Sequence, residues 1–125
     1  MNPEELKYHI TLQEVYKKKM GELQIGDRYY LLKDKELMFF DGYIAEDRAN
    51  YLYIPLPIDP INEKRGLMGM IKNFMQIVKY SKSWAVALLP FKDKKDRRIS
   101  RYYAATTPTL ALLKTLAEQE GVEVE

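Results

Sequence analysis

Trp84-Ala85-Val86-Ala87-Leu88-Leu89 places Trp84, Val86 and Leu88 on one face of a strand and Ala85, Ala87 and Leu89 on the other. Both faces are apolar, which predicts a strand central in a sheet and covered on both sides. The small alanines would let a helix approach closely on their face. Phe91 leads into Lys92-Asp93-Lys94-Lys95-Asp96-Arg97-Arg98, a run too charged to bury, and Ile99 to Thr106 reads as a returning strand. Trp84–Thr106 is thus predicted to be a β-hairpin with a basic tip.

After the hairpin, Thr107 is placed to cap a helix with Pro108 at its first position. Leu110, Leu112, Leu113, Leu116 and Ala117 would form its buried side, and Gly121 would stop it. Before the hairpin, Leu67, Ile71, Phe74, Met75 and Val78 recur at helical spacing and predict a helix. Met68, Met70 and Ile77 fall outside that stripe, so the helix would be buried on two sides or would meet a partner. The preceding Ile54-Pro55-Leu56-Pro57-Ile58-Asp59-Pro60-Ile61 lacks too many backbone donors for a central strand and reads as an edge or extended connection.

The N-terminal half begins with Asn2, Pro3 and Glu5, a helix-start signal; Thr11 and Glu14 repeat the capping-box spacing. A helix is predicted over about residues 12 to 20, ending at Gly21, while residues 3 to 10 are left open as a separate helical turn. Arg28–Leu32, Glu36–Phe40 and Tyr51–Ile54 read as a meander of antiparallel strands, with the tyrosines of the last on one face. The expectation is a single α+β domain over residues 1 to 125: a mostly antiparallel sheet with helices packed on it.

With 46% hydrophobic and 30% charged residues the chain can bury a core and stay in solution. It lacks cysteine, which removes disulfides and thiol chemistry, and no apolar run reaches the length of a membrane span. The polar N-terminus shows no secretory signal, and a cytoplasmic protein is the simplest fit. The net charge of +2 is segregated: residues 1–63 balance at −4, residues 64–101 at +9, and residues 102–125 at −3. Such asymmetry marks a polyanion surface, unless the acidic ends fold alongside the basic segment.

Catalytic chemistry has little to stand on. His9 is the single histidine, which disfavours hydrolase triads and zinc sites, and neither metal nor cofactor is expected. Gly66-Leu67-Met68-Gly69, beside Lys64 and Arg65, matches no nucleotide fingerprint, although its backbone donors would suit an anion. Asp41, Glu46, Asp47 and Asp59 lie in turns, where aspartates ordinarily bond local backbone.

Binding is better supported. Lys92, Lys94, Lys95, Arg97, Arg98 and Arg101 would grip phosphates, with Tyr102 or Tyr103 stacking on bases. These two tyrosines point to opposite faces of a strand, so one serves the ligand and the other the core. Alternatively, Pro55, Pro57, Met68 and Met70 would meet a protein partner or a second copy, methionine being adaptable at such surfaces.

Tyr103-Ala104-Ala105-Thr106-Thr107-Pro108-Thr109-Leu110-Ala111-Leu112-Leu113 resembles the ending of small phage- or prophage-encoded proteins, in which a strand runs into a helix. The Ile54–Ile71 segment resembles material in the same proteins. The resemblance implies an α–β–α sandwich and a phage setting, and it supplies no activity. The leading expectation is a non-catalytic accessory or adaptor protein, with a nucleic-acid binder using residues 92–101 as the alternative.

Overall fold

The computed structural model describes residues 1–56 and 64–124. Its fold is α+β, with two three-stranded antiparallel sheets and four helices packed against them. Helices α1 (Pro3–Thr11) and α2 (Gln13–Met20) precede strands β1 (Arg28–Leu31), β2 (Glu36–Phe39) and β3 (Tyr51–Ile54), ordered β2-β1-β3. The short α3 (Leu67–Met70) leads to β4 (Phe74–Lys79), β5 (Trp84–Lys92) and β6 (Arg98–Ala105), ordered β4-β5-β6, and α4 (Pro108–Glu120) ends the chain.

The residues that were open at the N-terminus form α1, whose cap is Asn2: its Oδ1 accepts from Glu4 N at 2.8 Å. Thr11 does not cap α2. Its hydroxyl turns back to the Lys7 carbonyl at 2.9 Å, and α2 starts at Leu12 without a side-chain cap. At α4, Thr107 Oγ1 accepts from Leu110 N at 3.0 Å, and Gly121 closes the helix in the left-handed conformation at φ 65°.

α4 is the hub of the core. Leu110, Leu112, Leu113 and Leu116 are all buried, which leaves the helix apolar nearly all round, as a helix packed on several sides must be. One side packs on Val86, Leu88 and Ala105 of the second sheet; Leu12, Tyr16 and Met20 of α2 and Leu67 and Met70 of α3 complete the cluster. A second cluster joins Tyr30, Leu52 and Ile54 to Leu6 of α1, so the first sheet is held by the N-terminal helix.

The segment expected to be one long helix, Leu67 to Val78, is a helical turn and a strand. The helix ends where Ile71 turns extended (φ −85°, ψ 120°), Asn73 adopts φ 61°, and the chain then pairs along β5. A register shift between Phe74 and Gln76 brings Phe74 and Ile77, three residues apart, onto the core together. The bulge thus gives a strand the spacing of a helix, and periodicity reads it as one.

β5 is central and its residues Ala85 to Leu88 are buried on both faces, as expected, but the described helices lie on only one of them. α4 lies on the Val86 face. Ala85 and Ala87 are buried without belonging to that core: their cross-strand neighbours, Val78 and Ala104 beside Ala85, Gln76 and Tyr102 beside Ala87, shield them. Small side chains in the middle of a sheet lose their exposure to taller neighbours, so burial there needs no helix.

α2 is fixed to the edge of β3 by one side chain. Gln13 Nε2 donates to the carbonyls of Tyr53 and His9, each at 2.9 Å, and its Oε1 accepts from Tyr53 N at 2.8 Å. Gln13→Ala strands the two Tyr53 groups and is expected to cost about 1–3 kcal/mol in chemical denaturation. A loss well below 1 kcal/mol would show that water replaces the amide without penalty.

Candidate nucleic-acid interface

β5 and β6 carry the basic hairpin outward from the core, and its tip is shaped by Asp93. The Asp93 carboxylate accepts from Lys95 N and Arg97 N, both at 2.9 Å, and from Arg97 Nε at 2.8 Å. These bonds, the Arg97 backbone first, hold its pKa below the usual carboxylate value. Asp96 completes the turn at φ 62°, a conformation aspartate tolerates better than most residues.

The tip is less positive than its sequence. Arg97 Nη2 pairs with Asp93 at 2.8 Å, and Lys92 lies 3.5 Å from Asp96. Lys94, Lys95 and Arg98 make no ion pair among the described residues and project as free cations. The acidic ends do not neutralise them: Glu120 near the C-terminus pairs instead with Lys19, at 3.5 Å.

Strand alternation sorts the rest. β6 pairs regularly with β5 from Leu88↔Arg101 to Trp84↔Ala105, so Arg101 and Tyr103 share the α4 face with Leu88 and Val86. Tyr103 packs against the core, while the Arg101 guanidinium sits 5.0 Å from the Phe91 ring centre. Arg98, Ser100, Tyr102 and Ala104 occupy the opposite, open face, and Lys92 joins them across from Arg98. Tyr102 is 58% exposed there, and Gln76 and Val78 extend the face onto β4.

The structure therefore brings together Lys92, Arg98 and Tyr102, with Lys94 and Lys95 at the adjoining tip, and sends Arg101 to the other side. Gln76, Val78 and Ser100 on the same face were not singled out from sequence; the period-two alternation of residues 98–104 was the available signal for Ser100, and the β4 bulge hid Gln76 and Val78.

The other expected site residues fall elsewhere. Met68 and Met70 are buried in the core, and Pro55 is fully buried, so these residues offer no surface to a partner. Pro57 and Asp59 lie outside the described residues. Leu67 N, at the glycine-flanked entry of α3, already donates to Leu56 O at 2.8 Å, and Arg65 is bound to Asp27. Asp41 accepts from Tyr43 N at 3.3 Å, a local turn bond. Among the described residues there is no cluster of three metal-binding side chains, and no helix is long and apolar enough to cross a membrane.

No family model, curated protein or solved structure matches the chain. The functional reading rests on its own geometry.

Proposed function

We propose that this is a non-catalytic binding protein whose ligand is single-stranded nucleic acid, held on the open face of β4-β5-β6. The observation that supports this most is the column Arg98, Ser100, Tyr102 on β6, which pairs an exposed aromatic ring with a cation on one uncovered sheet face. A base of DNA or RNA stacks on the flat Tyr102 ring, and the backbone phosphates then run toward Arg98, Lys94 and Lys95. An accessory role in a phage setting, implied by the Tyr103–Leu113 resemblance, fits such a binder.

The test is fluorescence anisotropy with short single-stranded DNA and RNA across a salt series. Three phosphate contacts give a log–log salt slope of about −2. Tyr102→Ala is expected to weaken binding by about 5- to 150-fold, the worth of one stacked base, with the slope unchanged. Arg98→Ala should flatten the slope by about 0.7. Arg101→Ala, on the α4 face, should leave both affinity and slope in place. Absence of binding at low salt would discard the nucleic-acid reading, and capture of a protein partner that Tyr102→Ala releases would replace it with an adaptor role on the same face.

A further inference from the structure

A second site lies on the other sheet, where α1, β1 and the start of α4 enclose a cavity of about 270 Å³ lined by Glu5, His9, Arg28, Tyr30, Lys35 and Thr109, among others. Arg28 is the anomaly in it. Nη2 donates to the Pro55 carbonyl at 2.9 Å, but Nε is buried without any hydrogen-bond partner, and no carboxylate among the described residues pairs with the guanidinium. A buried N–H on a charged group is rarely left unsatisfied unless something else binds it.

His9 adds a second donor. It is 3% exposed, and its Nδ1 lies 3.0 Å from the buried Tyr16 hydroxyl. That hydroxyl has no other acceptor among the described residues, so it donates to Nδ1 and leaves the ring proton on Nε2. Nε2 makes no hydrogen bond among the described residues. The Lys35 side chain lines the same cavity, and the one carboxylate there, Glu5, already accepts from Thr107 Oγ1 at 2.7 Å.

We infer that this cavity binds a small oxyanion, a carboxylate or phosphate head group, which accepts from the Arg28 guanidinium and His9 Nε2, with Lys35 supplying charge. The volume suits a ligand of a few heavy atoms rather than a polymer. Burial, and then Arg28, lower the His9 pKa to about 4, so at neutral pH the ring serves as a neutral donor beside two cations, Arg28 and Lys35, that outnumber the Glu5 carboxylate in the lining. A bound anion balances the remaining charge.

The experiment is thermal unfolding in a zwitterionic buffer with added inorganic phosphate or acetate, against sodium chloride at matched ionic strength. A saturable rise in Tm is expected, of about 10 °C when the anion stands a hundredfold above its Kd. The probe giving the larger rise identifies the head group. The His9 ring resonances should shift in the same titration. In Arg28→Met the rise should vanish, while Tm without anion should change little, since losing the unsatisfied Nε donor offsets losing the Nη2 bond to the Pro55 carbonyl. If that variant does not fold, Lys35→Asn, which suits the left-handed backbone at φ 53°, should weaken the response several-fold. Responses no larger than those to chloride, or responses that persist in both variants, would overturn the assignment. Neither result bears on the hairpin face, whose test reads polymer binding through Tyr102.

Discussion

Asp27→Ala is expected to remove about 3–5 kcal/mol of folding stability, the usual cost of removing one partner of a buried ion pair. Asp27 is 6% exposed and pairs with Arg65, whose side chain is 15% exposed. Arg65 also donates to Met20 O at 2.7 Å and Glu22 O at 3.3 Å, and Asp27 Oδ2 accepts from Gln24 N at 2.7 Å. The pair therefore ties the end of α2, the turn before β1 and the approach to α3 at one point. Removing the carboxylate takes the Asp27 contact from the guanidinium and leaves Gln24 N without its acceptor. Against a total stability of about 5–15 kcal/mol, that loss brings the chain close to unfolding at room temperature. Asp27→Asn keeps an acceptor for Gln24 N and should fall between. In urea denaturation, Asp27→Ala combined with Arg65→Met should cost clearly less than the two single changes summed. A loss under about 1 kcal/mol would mean that the pair behaves as a solvent-screened surface contact.

Acid should unfold this chain earlier than its carboxylates alone would dictate. In the folded state the His9 pKa is lowered from 6.5 to about 4, by burial first and by Arg28 second. Below the unfolded value the unfolded chain takes up the proton that the folded chain refuses, so stability falls as pH decreases. The stabilisation is complete above pH 6.5, declines as pH drops toward 4, and is gone below it. The loss over that window amounts to about 3 kcal/mol. His9→Gln, which cannot take up a proton, should be less stable at neutral pH yet lack this decline. Denaturation midpoints at pH 7 and pH 4.5 separate the two. Parallel losses in both proteins would show that His9 is not the proton-linked group.

The features legible in the sequence were local ones. Thr107, Pro108 and Gly121 bound α4 through chemistry that acts within a few residues, and the hairpin's strands and polar tip follow from neighbouring side chains. Tyr51–Ile54 alternates as read, with Leu52 and Ile54 buried and the tyrosines half-buried. Leu67–Val78 misled because a bulge shifts a strand's phase by one residue, and no composition signal announces a bulge. The buried placement of Met68 and Met70 follows from the same error. Once α3 is a single turn, its methionines face the core under α4 and no outer helix surface exists.

At the interface, the charges were readable but their pairing was not. Asp93 and Asp96 neutralise Arg97 and Lys92 through turn geometry that sequence spacing does not specify. Arg101 was separable from Arg98 and Tyr102 by alternation alone. The Arg28 cavity had no signature at all, because His9, Arg28, Lys35 and Thr109 come from four separate segments. The Thr107–Leu113 motif, which carries most of the phage resemblance, is explained within this fold by a cap and a leucine surface packed on all sides.

The Gln13 amide has a consequence beyond holding α2 in place. β3 is a free border of its sheet, and a border with open donors and acceptors is a template on which another chain can add a strand. The outward backbone groups of Tyr53 are taken by Gln13, and the chain then reaches Pro55, which has no N–H to offer. One amide and one proline thus leave no continuous run for a foreign strand to read, and this border is closed to fibre growth without a single charged residue on it.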